Sequence, residues 1–179
     1  MSASLTPTSR VLLSLGVRPG QRSSLVYGVQ SPNALEGGVK RLTGAFDVAV
    51  VDGGAHLQEM HAAIIKASDL VLIPIQPSPG DLWPADAIVE MVKTHRRTTD
   101  GQPAAVFVIS RRKPRTRLAN AITDALGRYN IPVWEGTVDR VAYAEALGRG
   151  KAASEMGDDK AEAEIEELTN HIIQALTHE

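Results

Sequence analysis

The feature that most constrains this chain is a rhythm. Short, apolar, β-rich runs at 11–15, 48–52, 70–75, 104–109 and 131–137 are separated by longer amphipathic stretches. The runs do not alternate apolar with polar residues, so they read as strands buried on both faces. Helical patterns lie between them at 33–42, 57–68, 81–97 and 115–129, with Pro114 just ahead of the last, where its missing N–H costs little. A further helix at 141–148 leads to a final one at about 160–176. Strand–helix–strand repetition with crossovers of this length predicts an α/β fold: a mostly parallel sheet flanked by helices on both faces. In such sheets ligands sit at the carboxyl ends of strands, so the loops after Leu15, Asp52, Ile75 and Ile109 are where chemistry is to be sought.

Composition narrows the class. The chain has 179 residues, enough for one domain with a sizeable core, expected over 11–179 after a polar, flexible segment at 1–10 that lacks the features of a signal peptide. Aromatic residues make up only 4%, so the core must be aliphatic. The net charge of −2 gives no global argument for nucleic-acid binding, which must rest on local clusters. With no cysteine there are no disulfides, iron–sulfur clusters or cysteine zinc sites, which fits a cytoplasmic protein. No apolar run approaches the ~18 residues of a membrane span.

Two loops stand out. The first reads Val50-Val51-Asp52-Gly53-Gly54. An acid ending a buried strand before two glycines suits a group that holds magnesium through water in a phosphate site; the alternative is an acid that caps the next helix. The second, Gln76-Pro77-Ser78-Pro79-Gly80-Asp81, is stiffened by its prolines. It either positions a ligand or partner, or is a rigid connection with Asp81 as the N-cap of the following helix. His56 and His61 do not share a helix face well, which argues against a metal site there. Trp83 and Trp134 read as core or interface residues.

The segment Phe46-Asp47-Val48-Ala49-Val50-Val51-Asp52-Gly53-Gly54 resembles the Walker B region of the ParA/MinD-type partition ATPases, whose fold is that of the P-loop NTPases. The segment from Ser68 to Asp81, through Leu72-Ile73-Pro74-Ile75-Gln76-Pro77, is similar to the next segment of the family's small plasmid-encoded members. Phe107-Val108-Ile109-Ser110-Arg111 and Asp139-Arg140-Val141-Ala142-Tyr143 match two later motifs, and the acidic Glu164-Ile165-Glu166-Glu167-Leu168 helix also fits. The likeness runs over about 39–176. It implies ATP and magnesium as cofactors. Asp52 would be the catalytic, magnesium-side acid, and Gly53, Gln76, Pro77, Ser78 and Asp81 would line the nucleotide or dimer face. It also implies a homodimer or association with a related ParA-type chain, a ParB-like centromere-binding partner, and non-specific DNA contact on the nucleoid.

The family's lysine-bearing phosphate loop is absent from this sequence. No lysine precedes Lys40, and the Gly150-Lys151 pair is followed by Ala152. Either the strand at 11–15 is the family's second strand and the first strand and its loop are missing, or it is the first and 17–24 is a decayed loop with Arg22 for the lysine. The first register is favoured. Loss of the amide cradle lowers phosphoryl transfer by orders of magnitude, so ATP hydrolysis by this chain alone is expected to be weak or absent.

Arg111, Arg112, Lys113, Arg115 and Arg117 are the densest run of cations and the expected DNA-phosphate contacts; the alternative is a solvated helix-start loop. Lys93, Arg96 and Arg97 are expected to join them in one patch. Seven acids against one lysine over 155–167 read as a solvated helix face. Two functions follow: a ParA-like DNA-segregation protein, or a non-catalytic interaction or regulatory module that keeps the scaffold for dimerisation or partner binding. A truncated product of little function is a third reading.

Overall fold

The computed structural model describes residues 11–16, 26–29, 31–42, 46–53 and 58–177. In chain order these form β1 (Val11–Gly16), β2 (Val26–Val29), α1 (Pro32–Leu42), β3 (Val48–Asp52), α2 (Gln58–Ala67), β4 (Leu70–Ile75) and α3 (Pro79–Arg96). They continue with β5 (Ala104–Ile109), α4 (Arg117–Gly127), β6 (Val133–Glu135), α5 (Val141–Gly148) and α6 (Asp159–Thr177), with a 3-10 turn at Ala153–Glu155. Contacts divide the chain into two compact units, Met1–Ser68 and Asp69–Glu179. The flexible segment expected at 1–10 and the decayed loop considered at 17–24 lie outside the described residues, as does His56.

In the first unit β1 is the middle strand, antiparallel to β2 (Val11 opposite Val29) and to β3 (Leu13 opposite Val51). The sequence between β1 and β2 is too short for a parallel crossover, which needs a dozen or more residues. β3, which follows α1, also pairs antiparallel with β1, so the parallel expectation does not extend to this unit. β2 was not anticipated; it is short and carries Gly28 in place of an apolar run. Ser31 starts α1 by accepting the Ala34 N–H at 3.3 Å. Val29, Leu35 and Met60 form the core, with Val39, Val51, Ala63 and Ile64 packed against it. β3 closes one edge of the ladder, and Val50 is 55% exposed, so this strand is not buried on both faces as its sequence suggests.

The second unit carries the expected parallel sheet, in the order β4-β5-β6 with Ile75 level with Ile109 and Ile109 level with Glu135. Residues 105–109 of β5 are all buried; because side chains alternate along a strand, both its faces are covered. The crossover helices α3 and α4 bury Val89, Val92 and Leu126 fully. Arg128, just after α4, donates to Asp86 of α3 at 3.2 Å and to the Tyr129 hydroxyl, tying the two helices together. The result is an α/β arrangement with a parallel sheet flanked by helices.

Local chemistry shifts two helix starts from their expected places. α3 begins at Pro79, and its N-cap is Ser78, whose hydroxyl accepts the Gly80 N–H at 3.3 Å. Asp81 therefore stands inside the first turn and is not the cap. Proline at the first helical position supplies a fixed φ and has no donor to lose. α4 begins at Arg117, two residues later than its pattern suggests, because Arg115 takes a left-handed φ of 62° and Thr116 folds back to donate to Lys113 O at 2.9 Å.

Beyond the sheet, Ala146, Ala153 and Ala161 let α5, the 3-10 turn and α6 approach closely around Tyr143 and Met156. The two tryptophans part company. Trp83 is 79% exposed, so it is not a core residue, whereas Trp134 lies against His171 with ring centroids 5.5 Å apart. Among the described residues no helix is long and apolar enough to cross a membrane.

Candidate functional site

The parallel sheet fixes where loops meet. Ser110 N–H donates to Ile75 O at 2.8 Å, so the chain leaves β4 and β5 side by side at their carboxyl ends. Beyond the strands a short hydrogen-bonded zipper continues the β5–β6 pairing. Gly136 N–H donates to Ile109 O at 3.0 Å, Arg112 N–H to Thr137 O at 2.8 Å, and Asp139 N–H to Arg112 O at 3.0 Å. Gly136 is needed for this closeness: a Cβ there would stand 2.6 Å from Val108 Cγ1 and 2.7 Å from Ile109 O. The zipper pins the basic loop onto the segment carrying Asp139.

A cavity of about 300 Å³ opens at this end of the sheet. Gln76, Pro77 and Ser78 line one side, and Arg111, Lys113 and Thr116 line another; Leu118 and Asp139 complete it. The Asp139 carboxylate bridges the two cations, with Arg111 Nε 3.3 Å from Oδ1 and Lys113 Nζ 3.8 Å from Oδ2. Arg111 has a φ of 52°, a conformation that non-glycine residues adopt at a cost and that often marks a functional loop. Its backbone N–H is held by Thr137 Oγ1 at 3.2 Å. Arg112 is drawn off to Glu135, 2.7 Å away, and is absent from the cavity lining. Arg115 and Arg117 are exposed and likewise stand outside it.

Two groups that the sequence reading kept apart are thus joined: the proline loop, read as nucleotide-facing, and Arg111 and Lys113, read as DNA-facing, share one cavity. Asp81 lies in the first turn of α3; its side chain is outside the described part. Asp52 and Gly53 belong to the other unit, where Asp52 ends β3 exposed to solvent. A Cβ on Gly53 would come within 2.9 Å of Ile64 Cδ1, so the backbone at Gly53 lies close against α2. Asp52 offers a single hard oxygen donor group, which suits a magnesium ion held mainly by water and ligand phosphates. Among the described residues no three acidic or histidine side chains gather into a metal-binding group.

The single basic patch expected from Lys93, Arg96 and Arg97 together with 111–117 does not form. α3 runs back against its neighbouring strands, so its last turn lies at the amino end of β5 and Arg111 lies beyond the carboxyl end, about 20 Å away along a six-residue strand. Lys93 instead pairs with Glu90 at 3.6 Å, and Arg96 donates to Gly101 O at 2.7 Å.

Sequence reasoning also missed a polar junction. Glu164, read as part of a solvated acidic face, is only 15% exposed. It accepts from Val138 N–H at 3.0 Å, from Arg140 Nη2 at 2.6 Å and from the Tyr143 hydroxyl at 2.8 Å. Burial raises its carboxyl pKa, but the hydrogen bonds from Arg140, Val138 and Tyr143 outweigh this and hold it below its ordinary value. Burial, followed by the bond to Glu164, pushes the Tyr143 hydroxyl well up. Glu164 sits three residues from Ala161 and so shares the side of α6 that carries this buried alanine.

A parallel α/β unit with a basic loop and a proline-stiffened loop converging at its carboxyl edge defines a class of site suited to anionic ligands. The chain is 32% identical over 108 residues to the maintenance of carboxysome distribution protein A of Halothiobacillus neapolitanus, a match covering 59% of this chain and 50% of that protein. The chain thus spans about half the length of the curated relative it matches. No protein-family model matches it.

Proposed function

We propose that this chain is a ParA-type positioning protein, one that distributes a cargo within the cell through association with partners, and that by itself it hydrolyses ATP weakly or not at all. The observation that carries the reading is the 32% identity over 108 residues to a protein named for maintaining carboxysome distribution. The parallel sheet and its carboxyl-end cavity support it, since that is where a nucleotide-dependent switch of this architecture keeps its ligand. On this reading Asp52 and Gly53 serve the magnesium side, while Gln76, Pro77, Ser78 and Asp81 face the nucleotide or a second subunit. Bound magnesium would neutralise phosphate charge, and Asp52 would orient its water shell. Arg111, Arg112, Lys113, Arg115 and Arg117 offer phosphate contacts through which a dimer would ride on DNA at the nucleoid. The cargo is either a DNA segment, paired through a ParB-like adaptor, or a protein body like the one in the relative's name.

A second reading has its own support in the sequence. No Gly-Lys-Thr loop is present to grip phosphates, which favours a non-catalytic interaction module built on the same scaffold. A thermal-shift titration with ATP and magnesium separates the two. The positioning reading predicts a small stabilisation at millimolar ATP, lost in Asp52→Ala, with phosphate release near background. No stabilisation at any ATP concentration would leave the interaction module.

A further inference from the structure

We infer that Asp139 is the resident counter-anion of a phosphate-group site formed by Arg111 and Lys113, and that a ligand phosphate binds there by displacing this carboxylate. The phosphate is supplied either by a free polyphosphate or by a nucleic-acid backbone. The inference concerns the cavity named in the proposed function but stands on local geometry, and it holds whether or not ATP is the ligand.

Two cations on one loop converge on a single carboxylate from different sides, one on each oxygen. That geometry marks the point where a bridging anion is most stabilised. Asp139 supplies one negative charge there against two positive ones. The basic side chains are 63% and 73% exposed, so their pairs with Asp139 lie in a screened setting and exchange readily. The backbone behind them does not yield as easily: the zipper holds the main chain at Arg112 and Asp139, and Thr137 holds it at Arg111. A phosphate thus meets a preformed backbone with movable side chains. A terminal phosphate, with charge near −2, satisfies both cations better than one carboxylate does, and a nucleic-acid backbone does so through successive singly charged phosphates. Gln76, Ser78 and Thr116 add neutral hydrogen-bonding groups around the same 300 Å³ space, and Leu118 gives an apolar wall. Asp139 then becomes a like charge beside the bound anion, which sets a threshold: an isolated monoanion gains little, whereas a polyphosphate, or a nucleic-acid backbone with its run of neighbouring phosphates, displaces it.

The paired acids at this end of the sheet give an internal control. Glu135 pairs with Arg112 at 2.7 Å but does not line the cavity, so Glu135→Gln changes net charge as Asp139→Asn does without touching the proposed site. The experiment titrates inorganic pyrophosphate, and separately a short DNA duplex, into the full chain at low salt. It compares wild type, Asp139→Asn, Glu135→Gln and an Arg111→Ala/Lys113→Ala double variant, each checked for folding by circular dichroism. Asp139→Asn is expected to bind pyrophosphate about five-fold tighter, as befits removal of a screened competing charge. Glu135→Gln should match wild type for pyrophosphate, and the double variant should lose pyrophosphate binding. A gain for pyrophosphate alone identifies a free polyphosphate as the source, whereas a gain for the duplex as well identifies the nucleic-acid backbone. The inference is overturned if Asp139→Asn binds pyrophosphate no tighter than wild type, if Glu135→Gln gains equally for pyrophosphate, or if no form binds either probe. Because neither probe is ATP, a negative ATP titration beside a positive pyrophosphate result would contradict the nucleotide reading and leave this one standing.

Discussion

Single residues decide how the end of the second unit is held. Glu164 gathers three donors from different parts of the chain, and its carboxyl holds a proton less tightly in the folded state than in the unfolded chain. The sign follows directly: a depressed folded value stabilises the protein fully above the ordinary carboxyl value of 4.5, and that contribution is lost as pH falls through the lower folded value. Thermal unfolding of wild type should therefore weaken more steeply below about pH 4.5 than that of Glu164→Gln, whose amide cannot titrate. Parallel curves for the two proteins would remove Glu164 from the account. The sequence hid this role because an acidic run on an amphipathic helix ordinarily faces water. What distinguishes Glu164 from Glu166 and Glu167 is that it lies on the side of α6 that carries Ala161, which is fully buried.

Elements built from unbroken apolar runs were legible, and those set by turn geometry were not. β4, β5 and α5 fall where hydrophobic patterning places them, since burial dominates their choice of structure. β2 has no such run, and the start of α4 is set by the left-handed Arg115 and the Thr116 hydroxyl, neither of which periodicity reports. The zipper of 109–112 with 136–139 is the element that builds the cavity, and its one steric requirement is Gly136. Gly136→Ala should force the segment away from β5 and cost about 2 kcal/mol, the usual range for overpacking against backbone. Denaturant unfolding measures it, and an unchanged midpoint would mean that the segment is not held as described.

At the scale of the molecule, chain topology joins what sequence separates. Gln76 and Arg111 are distant in sequence, yet parallel pairing of Ile75 with Ile109 delivers both loops to one end of the sheet. The rule that ligands sit at strand carboxyl ends pointed to both loops individually. It did not show that they share a cavity, because that depends on which strands are neighbours. Asp52 was legible as a strand-ending acid, but it lies in the other unit. We propose that the cavity at the end of β4 and β5 is where this chain takes a nucleotide. The most direct test is a nitrogen–proton NMR titration of the full chain with ATP and magnesium. The amide signals expected to move most are those of Gln76, Ser78, Arg111 and Thr116. Shifts confined to residues away from this cavity, or no shifts at millimolar ligand, would contradict it.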